Sequence, residues 1–409
     1  MSNVTIREPL TLKNGTIINN RLMKSALSEQ LGNTDHDPDQ RLVNVYSQWS
    51  KGGCGLLVSG NIMIDRNHLG EPGNVALDEQ SDLAAFKRWT TAGTMNRNQF
   101  WAQLNHPGKQ TPNFVTKEPV APSAIGLTGG LEKGFNKPRA LTADEVKAVI
   151  EQYATSARLA KEAGFTGVQI HGAHGYLVSQ FLSPRHNQRD DEWGGSLENR
   201  MRFALGVYKA IRREVGKDYP VGIKLNSADF SKGGFSEEDS MQVVQALAEA
   251  GIDLIEISGG TYESPEMAQE TPKASTRKRE AFFIDYAKKI RDKVDVALVV
   301  TGGFRSARGM NAALAENAMD MVGLGRPLCI DPALPNNAIA NDDYVLDLPH
   351  LTTGVKVIDF IAVHNIYWYQ NQLWRMAKNK QPKPNLSPWR SFAATMTLNG
   401  RHAFRKLRA

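Results

Sequence analysis

Cysteine is almost missing from this chain: of 409 residues only Cys54 and Cys329 carry thiols, far apart and outside any Cys-x-x-Cys pair. That excludes an iron–sulfur cluster and a cysteine zinc site, and it points to a reducing compartment. Long apolar runs are missing too, so no segment spans a bilayer. The start, Met1-Ser-Asn-Val-Thr-Ile-Arg7, lacks the apolar core of a signal peptide, and a cytoplasmic protein is expected. No block of like charge is interleaved with aromatics, which argues against a nucleic-acid partner. The net charge of +6 suits anionic small molecules instead. No Gly-x-Gly-x-x-Gly opens a strand–helix unit, so a Rossmann site for a tightly held dinucleotide is excluded.

What is present is a large apolar supply, 41% of residues, arranged in alternating short runs and amphipathic stretches. Strands are predicted at Arg21–Ala26, Gly55–Gly60, Gln99–Leu104, Gly167–His171, Val221–Leu225, Leu254–Ser258, Ala297–Thr301 and Met321–Gly325. Helices are predicted at Val43–Ser50, Asp82–Thr94, Ala143–Ala163, Glu198–Val215, Glu237–Ala250, Phe282–Val294 and Arg308–Glu316. Thr142-Ala-Asp-Glu145 reads as a capping box, Ser236 as an N-cap, and Gly164 and Gly251 as helix stops. Eight strands alternating with helices imply parallel βαβ units closed into a single (β/α)8 barrel.

The barrel is expected over residues 1–332, preceded by a hairpin around Leu10–Ile17. Pro107–Arg139 is too long for an ordinary connection and is expected to cover part of the pocket. Residues 333–409 read as a helical extension, with Phe360, Tyr367 and Trp374 seven apart as the stripe that packs on the barrel. A subunit interface or a membrane-surface role are the other readings of that stripe.

Barrel sites lie at the C-terminal ends of the strands. There the sequence offers Ser25 to Ser28, Gly60 with Asn61, Gln103 with His106, His171 with His174, Lys224 with Asn226, Ser258-Gly-Gly260, Gly302 with Gly303, and Gly325 with Arg326. The last two groups follow strands seven and eight, where glycine backbone and an arginine fork suit a phosphate. After strand four comes His171-Gly-Ala-His174-Gly-Tyr176, two imidazoles and a phenol within six residues. They could hold a carbonyl oxygen and supply a proton. Metal binding is the rival reading, and a metal-dependent barrel hydrolase would use His106, His171 and His174.

The stretch continues through Phe181-Leu-Ser-Pro184 to Arg189-Asp-Asp191-Glu-Trp-Gly-Gly-Ser196-Leu-Glu-Asn-Arg200. It closely resembles the signature of the old yellow enzyme family, the NADH:flavin oxidoreductases. The resemblance also covers Asn20-Arg-Leu-Met-Lys-Ser25, Gly302/Gly303 and Gly325-Arg326. It implies a tightly bound FMN, with NADPH or NADH as a transient reductant. Ser25, Ala26, Leu27 and Ser28 would line the flavin ring, Gly60 and Gln103 would meet its polar edge with His171, and Lys224 would sit by its pyrimidine side. Gly302, Gly303, Gly325 and Arg326 would hold the phosphate. His171 and His174 would polarise the oxygen of an enone-type substrate and Tyr176 would protonate its α-carbon, making the protein an ene-reductase. Members often carry Pro-Met where this chain has Ala26-Leu27, Cys or Thr at Ser28, and Arg at Lys224. A flavin-binding protein without turnover is the non-enzymatic alternative.

Overall fold

The computed structural model describes residues 4–261, 263, 283–355 and 363–403. Eight parallel strands close in sequence order: β1 (Leu22–Lys24), β2 (Leu56–Met63), β3 (Gln99–Asn105), β4 (Gly167–Gly172), β5 (Val221–Asn226), β6 (Leu254–Ser258), β7 (Ala297–Thr301) and β8 (Met321–Leu324). Strand β8 pairs back onto β1, which makes the sheet a (β/α)8 barrel. Each strand occupies the run expected from periodicity.

The outer helices are α1 (Gln40–Lys51), α2 (Leu83–Gly93), α3 (Ala143–Glu162), a short α4 (Leu177–Leu182), α5 (Leu197–Val215), α6 (Glu237–Glu249), α7 (Ile284–Arg291) and α8 (Ala307–Ala315). Thr142 and Glu145 form the reciprocal capping box of α3, and Ser236 Oγ accepts the Asp239 N–H at the start of α6. Helix α1 begins before the expected Val43 because Asp39 caps it, accepting the Arg41 N–H at 2.8 Å.

Inside the barrel the chemistry changes with height. Near the strand N-termini, Met23, Leu56, Val58, Trp101, Leu254, Val299 and Met321 form an apolar layer. The hairpin, Leu10–Thr11 paired with Ile17–Ile18, closes that end with Leu10, Leu12 and Ile18. A Cβ on Gly167 would lie 2.5 Å from Trp101 Nε1, so glycine is what admits the indole. Two residues further along the strands, on the same inward face, come Ser25, Gln103, Gln169, Lys224, Glu256 and Thr301, all buried. The floor of the site is therefore polar while the layer beneath it is dry.

Past β8 follow α9 (Pro327–Ile330), α10 (Leu334–Ala340), α11 (Val363–Met376) and α12 (Pro388–Ala403). Helix α11 lies on α1: Asn44 Nδ2 donates to Ala377 O at 2.9 Å and Gln48 Nε2 to Met376 O at 3.0 Å. Its buried face is Trp368, Tyr369, Leu373 and Met376, whereas Tyr367 and Trp374 are half-buried. Of the expected stripe, Trp374 packs against the core and its Nε1 donates to Glu29 O at 3.3 Å, while Tyr367 stands beside it at the edge of the buried face. Phe360 lies outside the described residues. No described helix is long and apolar enough to cross a membrane.

Candidate active site

At the C-terminal ends of the strands opens a cavity of about 680 Å³, within the range of small-molecule and cofactor sites. Of the residues expected there, Ser25, Ala26, Leu27, Ser28, Gln103, His171, His174, Tyr176, Lys224, Gly302, Gly303, Gly325 and Arg326 line it. Gly60 does not; Asn61 takes that place. The Gly60 N–H donates to Tyr46 Oη at 2.9 Å, and a Cβ there would meet Glu29 Oε2 at 2.7 Å. Gly60 thus stands behind the wall, against a fully buried Lys24 that binds Glu29 Oε1 (3.2 Å), Tyr46 Oη (3.0 Å) and Val58 O (2.8 Å).

One side of the cavity carries the imidazoles and the phenol. His171 is the penultimate residue of β4, and its ring centre is 5.2 Å from that of His174 and 4.8 Å from that of Tyr176. His171 Nδ1 accepts the Ala173 N–H at 3.3 Å, which leaves its proton on Nε2. Tyr176 is the N-cap of α4 and is buried, so the strand–loop–helix turn sets the phenol in place. Burial, followed by the neighbouring His174 and Lys224, pushes His171 well below the ordinary imidazole value, and burial with Lys224 lowers His174. Both rings are neutral near pH 7.

His106 is elsewhere. It is buried beside His68, with ring centres 4.8 Å apart, and its Nδ1 accepts the Gly108 N–H at 3.0 Å. The three imidazoles of the hydrolase reading do not converge. Among the described residues no group of three or more His, Cys, Asp or Glu side chains is placed to hold a metal.

The remaining half of the signature is scaffold. Arg189 pairs with Asp191, Asn187 Nδ2 donates to Phe181 O (2.8 Å) and Trp193 O (2.7 Å), and Arg200 reaches Leu182 O and Asp239. These bonds tie the long loop to α4 and α6. The segment Pro107–Arg139 contributes none of the cavity-lining residues, contrary to expectation. It packs outside the site and touches it through a side chain, where Gln110 Nε2 donates to the backbone oxygen of His174 at 2.8 Å.

The wall expected from that loop comes instead from the C-terminal extension. Leu348, His350, Leu351, Ile366, Tyr369 and Gln370 line the cavity. Gln370 Nε2 donates to Ser28 Oγ at 2.8 Å, and Ser28 in turn donates to the half-buried Glu71. The guanidinium of Arg326 stands 5.9 Å from the Tyr369 ring centre. Sequence reasoning did not assign these residues, since nothing local marks the stretch after Pro332 or helix α11 as a pocket wall.

FMN fits this donor set. Gly302 (φ 120°) and Gly303 (φ 94°) have backbone that only glycine adopts freely, and with Gly325 and Arg326 they line the end of the cavity that would take the phosphate. Gln103, Lys224 and Asn61 offer hydrogen-bonding groups for a pyrimidine edge, and Ala26 and Leu27 an apolar surface for a ring.

Known proteins agree. The sequence model of the NADH:flavin oxidoreductase / NADH oxidase family matches residues 5–342. The NADH-dependent flavin oxidoreductase iliE of Hypocrea jecorina (strain QM6a) is 38% identical over 360 residues, covering 82% of this chain and 89% of that protein. The old yellow enzyme homologue from Zymomonas mobilis superposes with a TM-score of 0.72 at 26% identity, over 84% of this chain and 94% of that one. A 2-naphthoyl-CoA reductase in complex with 2-naphthoyl-CoA gives 0.76 at 27% identity, over 82% of this chain and 52% of that one, so this chain spans about half its length. With barrel, cavity and sequence match all in register, the chain belongs to the NADH:flavin oxidoreductase / NADH oxidase family, the old yellow enzyme group, and is an NAD(P)H-dependent flavin oxidoreductase with FMN as its cofactor.

Proposed function

We propose that this protein is an ene-reductase, which reduces the C=C bond of α,β-unsaturated carbonyl compounds. The observation that carries the reading is the wall of His171, His174 and Tyr176, with ring centres about 5 Å apart beside the cavity's polar floor. FMN, when bound, supplies hydride transfer from the nicotinamide and on to an electron-poor carbon.

The rest is done by the chain. His171 Nε2–H and a ring nitrogen of His174 hold the substrate's carbonyl oxygen, which gains negative charge as the β-carbon is reduced. Neutral imidazoles suit this task, because they donate hydrogen bonds without binding every anion as a salt. Tyr176 Oη–H gives a proton to the α-carbon; an ordinary phenol keeps that proton at neutral pH until a basic carbon appears. The extension from Leu348 to Leu351 and helix α11 act as part of this site, with Ile366 and Tyr369 limiting the size of the substrate.

The test is the visible spectrum of the purified protein, followed by anaerobic bleaching with NADH or NADPH and recovery of colour on adding cyclohexenone. Bleaching without recovery by any enone would leave an NAD(P)H oxidase and sink the ene-reductase reading.

A further inference from the structure

The polar floor has one feature the flavin reading does not use: a fully buried carboxylate at its centre. Glu256 projects inward from β6, and Lys224 Nζ lies 3.1 Å from its Oε1. Thr301 Oγ1 also donates to Oε1 at 2.7 Å, and Gln169 Nε2 donates to Oε2 at 2.9 Å. An ammonium, a hydroxyl and an amide converge on it, which is what a buried anion requires.

A carboxylate accepts and does not donate, so its position dictates the direction of every bond attached to it. Along one branch, Gln169 gives its amide hydrogens to Glu256 and must offer its oxygen to Gln103, whose Nε2 donates to Gln169 Oε1 at 2.7 Å. Gln103 is then left with its carbonyl oxygen and second N–H for the cavity. Along the other, Thr301 spends its only proton on Glu256, so the 2.9 Å contact between Thr301 and Ser25 must have Ser25 as donor. Ser25 then presents only lone pairs to the cavity. The second branch exists because β8 carries glycine there: a Cβ on Gly323 would fall 1.9 Å from Thr301 Oγ1 and 2.8 Å from Ser25 Oγ.

We infer that Glu256 is the positioning residue for the flavin's polar edge, offsetting the Lys224 charge and fixing the hydrogen-bond direction of Gln103 and Ser25. The inference rests on FMN occupying this cavity. Lys224 does not act as a free cation there. The pair supplies a nearly neutral floor, so the positive charge available to stabilise a reduced, negatively charged ring is set by the balance of two residues rather than by one.

The experiment is an equilibrium reduction titration of the FMN holoproteins against a reference dye, with FMN affinity measured by fluorescence quenching on the apoproteins. Glu256→Gln unmasks Lys224 and raises the flavin potential; Lys224→Met leaves the carboxylate uncompensated, lowers the potential and weakens FMN binding several-fold. The double variant Lys224→Met/Glu256→Gln returns towards wild type, because it removes two opposite charges whose effects on the flavin offset each other. Gln169→Leu, which cuts the branch to Gln103 and keeps the ion pair, weakens FMN several-fold with little change in potential. Wild-type potential in Glu256→Gln, or a double variant whose potential stays as low as that of Lys224→Met, would overturn the pairing. If Glu256→Gln does not fold, an unchanged potential in Lys224→Met does the same. A wild-type protein that carries no flavin instead refutes the cofactor assignment, so the two failures are distinct.

Discussion

His174 Nε2 and Ser258 Oγ lie 2.8 Å apart, joining the loop behind β4 to the end of β6. The same histidine has its N–H on Asn226 Oδ1 at 3.1 Å and its carbonyl on Gln110 Nε2 at 2.8 Å. Three elements therefore hold a residue whose φ of +59° is uncommon outside glycine. Such a backbone persists only where its surroundings over-determine it, and here it aims an imidazole at the cavity.

Removing the hydroxyl tests that arrangement. In Ser258→Ala the His174 ring loses its anchor, and affinity for a phenol that mimics an enolate should fall about fivefold, the value of one ordinary hydrogen bond of ~1 kcal/mol. His171→Ala should cost more, ~1.5–3 kcal/mol, because a donor to a charged oxygen is lost outright. Both are read from the charge-transfer band in a phenol titration. Equal affinity in wild type and His171→Ala would count against joint holding of the oxygen.

Tyr176→Phe separates the two halves of the reaction. The ring still packs 4.8 Å from His171, and only the O–H is gone. Reduction of the flavin by NAD(P)H should proceed at the wild-type rate while reoxidation by a weakly activated enone slows. A nitroalkene, whose nitronate needs no immediate proton, should be spared. Stopped-flow traces with identical enone half-reactions in the two proteins would reject Tyr176 as the donor.

Acid should act through the same histidines. Free imidazole takes its proton near 6.5, and burial holds His171 and His174 lower in the folded chain. The unfolded chain therefore binds protons first as pH falls. The stability these residues contribute is full above about pH 6.5 and is lost as pH drops towards the folded value, about 3 for His174. Each costs up to ~1.4 kcal/mol per pH unit across that window. A His171→Ala/His174→Ala variant should show a shallower fall in unfolding free energy between pH 6 and pH 4 in urea titrations; an equally steep fall would remove the histidines from the account.

Much of this was legible in the chain. Alternation of β-branched runs and amphipathic stretches located all eight strands, because each strand buries both faces and each helix buries one. His171, His174 and Tyr176 could be grouped because a single loop carries them. Glu256 and Gln169 were missed although they sit on inward positions of Leu254–Ser258 and Gly167–Gly172. A charge inside the run Leu-Ile-Glu-Ile-Ser was the available signal, and attention to strand ends passed over it. Tyr369 and Gln370 were beyond reach for a different reason: which face of α11 meets the barrel depends on the path taken after β8, and no local pattern encodes that path.

Lys24 gives a stability prediction free of cofactor. Its ammonium is fully buried, bound to Glu29, Tyr46 and Val58 O, and lies 4.4 Å from the Trp49 ring centre. Lys24→Met leaves the Glu29 carboxylate buried without its cation, and the expected loss is ~3–5 kcal/mol. Adding Glu29→Gln should recover part of it. A urea midpoint for Lys24→Met within error of wild type would show that the cluster contributes nothing.

Helix α11 should report on the phosphate end of the site. Arg326 has its guanidinium 5.9 Å from the Tyr369 ring centre, so the charge that would meet the phosphate leans on a residue of α11. A cation over an aromatic face is worth ~0.5–2 kcal/mol, depending on how dry the site is. Tyr369→Phe keeps the face and should bind FMN as wild type does, whereas Tyr369→Ala should weaken FMN by between about two- and thirtyfold at unchanged affinity for riboflavin, which has no phosphate. That difference between the two flavins distinguishes a role at the anion from general loosening of the wall. Parallel losses for FMN and riboflavin would assign Tyr369 to packing alone.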